Sequence, residues 1–125
     1  MNPNKADLPL VYSCSGCSNV AQLANDLAVV LDREGYAQMS CIAGVGGDVK
    51  ALVKLAQSGR PVLAIDGCKI ACVKKTLMKH AVKPCWHMEL TEFGIKKKNG
   101  ESCHFSEMKK VLVAARQLIA TDGGF

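Results

Sequence analysis

The stretch LPLVYSCSGCSN, residues 8–19, carries a short apolar run into two thiols and then into a segment with helical spacing. Leu10, Val11 and Tyr12 read as a strand ending near Ser13. Cys14 and Cys17 follow at once, and Asn19 opens a helix. The arrangement returns in PVLAIDGCKIAC, residues 61–72, where Val62 to Ile65 lead into Cys68 and Cys72. A third apolar run ends at Cys41. Repeated strand-to-helix passages of this kind decide the fold class, because strands that alternate with helices build a parallel sheet.

Outward from these units, the periodicity predicts a helix from Asn19, its expected N-cap, to Gly35. Gln22 is placed to close a capping box. Val20, Leu23, Ala24, Leu27, Val30 and Leu31 form its apolar stripe. A weaker strand is expected from Tyr36 to Cys41 or Ile42, and AGVGGDV, residues 43–49, reads as a glycine-rich turn. That turn is neither a dinucleotide fingerprint nor a phosphate loop, since the required glycine and the Gly-Lys-Ser/Thr are missing. A second helix is predicted from an Asp48 cap to Ser58. A central strand follows over Val62–Ile65, continuously apolar as in a sheet covered on both faces. A third helix is expected from Lys69 or Ile70 to Val82, and a fourth strand over Trp86–Leu90. Phe93 to Gly100 reads as a lysine-rich solvated turn. The last helix is expected over Glu107–Ala120 with Ser106 as its cap. The expected architecture is α/β: three layers, with a mostly parallel four-stranded sheet and helices on both faces, Rossmann-like. Residues 1–8 read as a disordered lead, 9–121 as one domain and 122–125 as a flexible tail.

Composition narrows the function. The chain has 125 residues, 49% of them apolar, enough for a packed core in one domain. Metal or disulfides are therefore not needed merely to hold the fold. The net charge of +5 owes much to Lys96, Lys97 and Lys98. Nucleic-acid binding would ask for basic residues interleaved with aromatics, and no such run exists. No segment has the length of a membrane span or the apolar core of a signal peptide. The expectation is a cytoplasmic protein that binds neither nucleic acid nor membrane, as a monomer or small homo-oligomer. Seven cysteines in a reducing compartment point to metal binding or thiol chemistry rather than to disulfides.

Ligands of an open parallel sheet bind outside the carboxyl ends of its strands. Cys14, Cys17, Cys41, Cys68 and Cys72 all fall at or just past a predicted strand end, so they are expected to share one rim. Cys-x2-Cys lets two sulfurs of one turn reach a single ion. Cys68 and Cys72, four residues apart, would lie on one face of a helix. Zn(II) takes four such thiolates, and iron–sulfur clusters and Cu(I) accept the same donors. Helix N-termini at Cys14, Cys17 and Cys68 are expected to favour thiolates. Cys41 alone also reads as a small buried hydrophobe. Cys85 and Cys103 lack a partner at ligand spacing and read as structural. His80 and His104 read as surface residues, and His87 beside Trp86 as a weak ligand candidate. Asp66 reads as a turn residue that accepts backbone N–H bonds, or as an orienter of a ligand.

At Asp66-Gly67-Cys68 the chain resembles the DGC-domain proteins, small bacterial and archaeal proteins described as zinc-binding. The resemblance rests on Cys14-Ser15-Gly16-Cys17, on Cys41 with its glycine-rich sequel, and on Asp66-Gly67-Cys68 with Cys72. It covers residues 9–120. It implies metal binding by cysteines, with zinc the customary metal, and implies no particular reaction. The function expected is an accessory, carrier or sensor domain that binds Zn(II). The alternatives are a thiol redox or sulfur-transfer protein using Cys14, Cys17 and Cys68, and an iron–sulfur protein. No Ser-His-Asp set, catalytic carboxylate pair or phosphate loop supports a hydrolase or kinase.

Overall fold

The apolar run that opens the domain forms strand β1 (Leu10–Ser13), buried at every position, in a computed structural model that describes residues 5–121. Three further strands, β2 (Gln38–Met39), β3 (Val62–Asp66) and β4 (Trp86–Glu89), join it in the order β2-β1-β3-β4. All pairs are parallel: Val11 stands opposite Met39 and Leu63, and Ile65 opposite Met88. The chain runs from β1 outward to β2, then crosses back to β3 on the other side of β1. The strand order therefore reverses between β1 and β3, which is the topological switch point where open α/β sheets bind ligands.

Alternation along the strands divides the core between two faces. Val11, Leu63, Ile65, Trp86 and Met88 face helices α1 (Asn19–Arg33) and α5 (Phe105–Thr121). Leu10, Tyr12, Val62 and Ala64 face the opposite layer, built from α2 (Ile42–Gly46), α3 (Lys50–Ala56) and α4 (Cys72–Lys79). The expected three-layer α/β architecture is the observed one. No helix among the described residues is long and apolar enough to cross a membrane.

Several element boundaries differ from the sequence-based expectation, each for a local reason. Ser18, not Asn19, caps α1: its extended backbone points Oγ at the Ala21 N–H, 3.1 Å away. Gln22 reaches the Gly16 carbonyl instead of closing a capping box. The weak second strand shrinks to Gln38–Met39 because Cys41 already caps α2, its sulfur accepting the Gly44 N–H at 3.4 Å. The expected glycine turn is thus largely the short helix α2. A Cβ on Gly44 would run into the Leu52 side chain, so α2 packs closely on α3 at this glycine. Asp48 adopts φ +60 between those helices and caps neither. The third predicted helix starts later, at Cys72, so Cys68 lies in a turn and not on the helical face with Cys72. The last helix begins at Phe105, with the His104 N–H bonded to Glu107 Oε1 at 2.8 Å, and Ser106 falls inside it. Of the expected lead, residues 1–4 lie outside the described residues. Lys5–Asp7 form one 3-10 turn, pinned where Arg60 donates to the Lys5 and Leu8 carbonyls. The expected flexible tail, 122–125, also lies outside the described residues.

Candidate thiol site at the switch point

Parallel strands deliver their successors to a common edge, and here that edge carries sulfur. Cys14 follows β1 directly, its N–H bonded to the Ile65 carbonyl as the last rung between β1 and β3. Cys41 comes two residues after β2, and Cys68 two residues after β3. Because β2, β1 and β3 are neighbours, the three residues stand along one rim in the order Cys41, Cys14, Cys68.

Cys14, Cys68 and Cys72 form the inner group. Burial pushes the Cys14 thiol up to about 11. The Gly67 N–H, 3.2 Å from the sulfur, pulls against that, and nearby Asp66, Cys72 and Cys68 push it further up by like charge. The expected thiolate-favouring helix terminus is therefore outweighed at Cys14 by desolvation. Cys68 is half-buried and has the Lys97 Nζ 3.5 Å from its sulfur. Cys72 is exposed at the first position of α4.

Asp66 and Gly67 organise this group. Asp66 is 1% exposed. Its Oδ1 accepts the Val73 N–H at 2.8 Å, and its Oδ2 accepts the Lys74 N–H at 3.2 Å. It therefore supplies the cap of α4 from the end of β3, since Ala71 at the cap position makes no side-chain cap bond. His87 Nε2 lies 2.8 Å from Asp66 Oδ2. Gly67 lies against the backbone of Val20 and Ala21 at the start of α1, where a Cβ would come within 2.8 Å of the Val20 carbonyl. In the triplet Asp66-Gly67-Cys68, the first residue caps one helix, the second admits another, and the third presents a thiol.

The lysine-rich segment keeps Lys96, Lys97 and Lys98 exposed, as a solvated turn would, but its backbone is a strap clamped to the start of α1. Asn19, freed from capping, donates Nδ2 to the Lys96 carbonyl at 2.8 Å and accepts the Lys98 N–H at 2.6 Å; its own N–H bonds the Lys98 carbonyl at 2.9 Å. The Cys103 thiol donates to the Asn19 carbonyl at 3.4 Å. This clamp brings Lys97 to Cys68. Neither Lys97 nor the clamping role of Asn19 is visible in local sequence. The only hint is an asparagine one residue past a serine that already suffices as cap.

The remaining cysteines divide. Cys17 is exposed beneath the strap, 3.9 Å from Asn99 Oδ1. Cys41 is exposed and engaged with α2. Cys103 is half-buried, as a structural role requires, but Cys85 is exposed and not the buried residue expected. Among the described residues no group of three or more His, Cys, Asp or Glu side chains is drawn together as a closed metal site. A groove of about 650 Å³ lined by His87, Glu92, Phe93 and Leu118 opens beside β4 and α5, but none of its lining residues is a cysteine.

Comparison with known proteins gives one consistent result. Residues 10–115 match the DGC domain. The chain is 58% identical over 117 residues to the "Anaerobic and virulence modulator AnvM" of Pseudomonas aeruginosa, covering 94% of this chain and 88% of that protein. No solved structure gives a significant match.

Proposed function

This chain belongs to the DGC-domain family, and from that premise we propose that it is a small cytoplasmic metal-binding protein of accessory or sensor type, with Zn(II) its metal. The observation that carries the reading is the placement of Cys14 and Cys68 past the ends of adjacent strands at the switch point, with Cys14 within electrostatic reach of both Cys68 and Cys72. The chemistry of the donors suits a soft or borderline ion: Cys14, Cys68 and Cys72, with Cys17 or Cys41 as the fourth, would have to close around it from the arrangement described. Asp66 is already occupied as a helix cap and is not among the donors. Thiolates around a divalent ion accumulate negative charge, and Lys97 beside Cys68 offsets it. The Gly67 N–H directed at Cys14 Sγ stabilises a sulfur that has lost its proton. Bound Zn(II) would supply cross-links between the strand ends and a thiol state sensitive to oxidants. The role named in the relative, an anaerobic modulator, agrees with a protein whose thiol centre reads its redox surroundings.

The test is anaerobic purification without added metal, followed by elemental analysis and an absorbance spectrum. About one Zn(II) per chain is expected, as for a single tetrahedral site. Cys68→Ser and Cys72→Ser should each lose it, and Cys85→Ser should keep it. Negligible metal with every thiol freely reactive would overturn the reading, and a brown protein carrying iron would replace it with the iron–sulfur alternative.

A further inference from the structure

His87 does not line the thiol group, yet its ring is held by the residue that builds it. His87 lies on β4 opposite Ala64, and Asp66 lies two residues further along β3 on the same face. The ring reaches diagonally across, and Nε2 meets Asp66 Oδ2 at 2.8 Å. A capping carboxylate only accepts, so Nε2 carries the proton in this contact. Asp66 is thereby bonded from three sides: by the Val73 and Lys74 amides of α4 and by the β4 imidazole.

The turn it controls leads into α4 through a strained backbone position. Residues 68–71 enter α4 through Ala71 in the left-handed region, φ +56, a conformation that disfavours alanine. Such a backbone persists only when its surroundings over-determine it. The Ala71 N–H closes the turn on the Cys68 carbonyl at 3.1 Å, and the two N–H bonds to Asp66 tie the start of α4 to the end of β3. Cys68 and Cys72 flank this turn.

We propose that His87 is a positioning residue for the thiol site: by holding the Asp66 carboxylate in its capping rotamer it fixes the start of α4 and so sets Cys72 relative to Cys68 and Cys14. The inference rests on the metal-binding reading for one of its two readouts. The other, local backbone protection, does not depend on metal.

The experiment compares the full chain with His87→Leu, His87→Asn and His87→Gln. Leucine removes the donor, asparagine is too short to present one at Asp66, and glutamine carries an N–H near the position of Nε2. Zinc affinity is read by competition with a chromophoric chelator, and amide hydrogen exchange is read at Val73 and Lys74. His87→Leu and His87→Asn should weaken zinc binding roughly 10- to 100-fold, as loss of an outer partner of a metal site does. Both should speed exchange at Val73 and Lys74, with the β1 and β3 amides unchanged. His87→Gln should restore most of both. Wild-type affinity and wild-type exchange in the Leu and Asn variants would overturn the proposal. So would a general rise in exchange that glutamine fails to rescue, since that marks packing alone. If the wild-type protein binds no zinc, the metal reading falls, and the exchange measurement alone decides the role of His87.

Discussion

Lys97 Nζ sits 3.5 Å from Cys68 Sγ although 29 residues separate them in sequence. The contact exists because Asn19 grips Lys96 and Lys98 on either side of it. A positive charge is thus delivered to the thiol rim by a segment whose composition suggests only solvation.

That charge should be visible in reagent preference. In metal-free protein, Cys68 should react with anionic iodoacetate faster, relative to neutral iodoacetamide, than the exposed Cys85 does. Lys97→Glu should reverse the bias. Each charge change is worth about 1 kcal/mol at contact distance in water-like surroundings, so the ratio should move by roughly 5-fold or more. Peptide mapping by mass spectrometry measures it. An unchanged ratio would mean that Lys97 exerts no field at Cys68.

The Asn19 clamp makes a second prediction. Asn19→Ala removes the bonds to Lys96 and Lys98, each worth about 0.5–1.5 kcal/mol, so a loss of about 1–3 kcal/mol is expected in urea unfolding. Asn19→Asp should rescue poorly, because a carboxylate still accepts the Lys98 N–H but repels the Lys96 carbonyl. Both variants should become sensitive to trypsin at Lys96–Lys98 under native conditions. A resistant strap would show that other contacts hold it.

What the sequence disclosed, and what it hid, follows from the range of the interactions. β1, β3, α1 and α5 are legible because a continuous apolar run or a 3.6-residue stripe is written within each segment. The common rim is legible because parallel topology places every strand end on one edge. The start of α4 is not, because its cap is Asp66, seven residues before Val73, and helix-start rules look for a cap one turn away. Helix α2 is hidden because its glycines argue for a turn, while Gly44 packs closely against Leu52 on another helix. Lys97 is hidden because it is held from the far end of the chain.

Asp32 sets the expected acid response. Burial raises its carboxyl, but the Lys5 ammonium, the Met39 N–H and the Arg33 guanidinium together bring it below its ordinary 3.8. The folded state therefore binds this proton less tightly than the unfolded chain. Its stabilising contribution is present above about pH 4 and is lost as pH falls through the depressed folded value. Asp32→Asn should lower Tm at pH 7, and the difference from wild type should close as the pH falls below about 4 and through the depressed folded value. A difference that stays constant across that range would show that the effect is packing and not charge.

Gly67 bears the tightest steric constraint on the site. A Cβ there would approach the Val20 carbonyl carbon and oxygen to 2.8 Å and the Ala21 nitrogen to 2.9 Å, all backbone atoms of the first turn of α1. Such atoms move only if the helix moves. Gly67→Ala should therefore destabilise by about 1–3 kcal/mol or more, the usual range for overpacking. It should also shift the Gly67 N–H away from Cys14 Sγ and so remove a bond that favours the thiolate, so that Cys14 alkylates more slowly at a given pH in metal-free protein while the exposed Cys17 and Cys41 do not change. Gly46→Ala is the matched control: its nearest neighbour is the Thr76 methyl at 3.6 Å, an ordinary contact, so it should be close to neutral. If both variants unfold at the wild-type urea midpoint, α1 does not rest on Gly67. The glycine between the capping aspartate and the rim thiol would then need a different explanation.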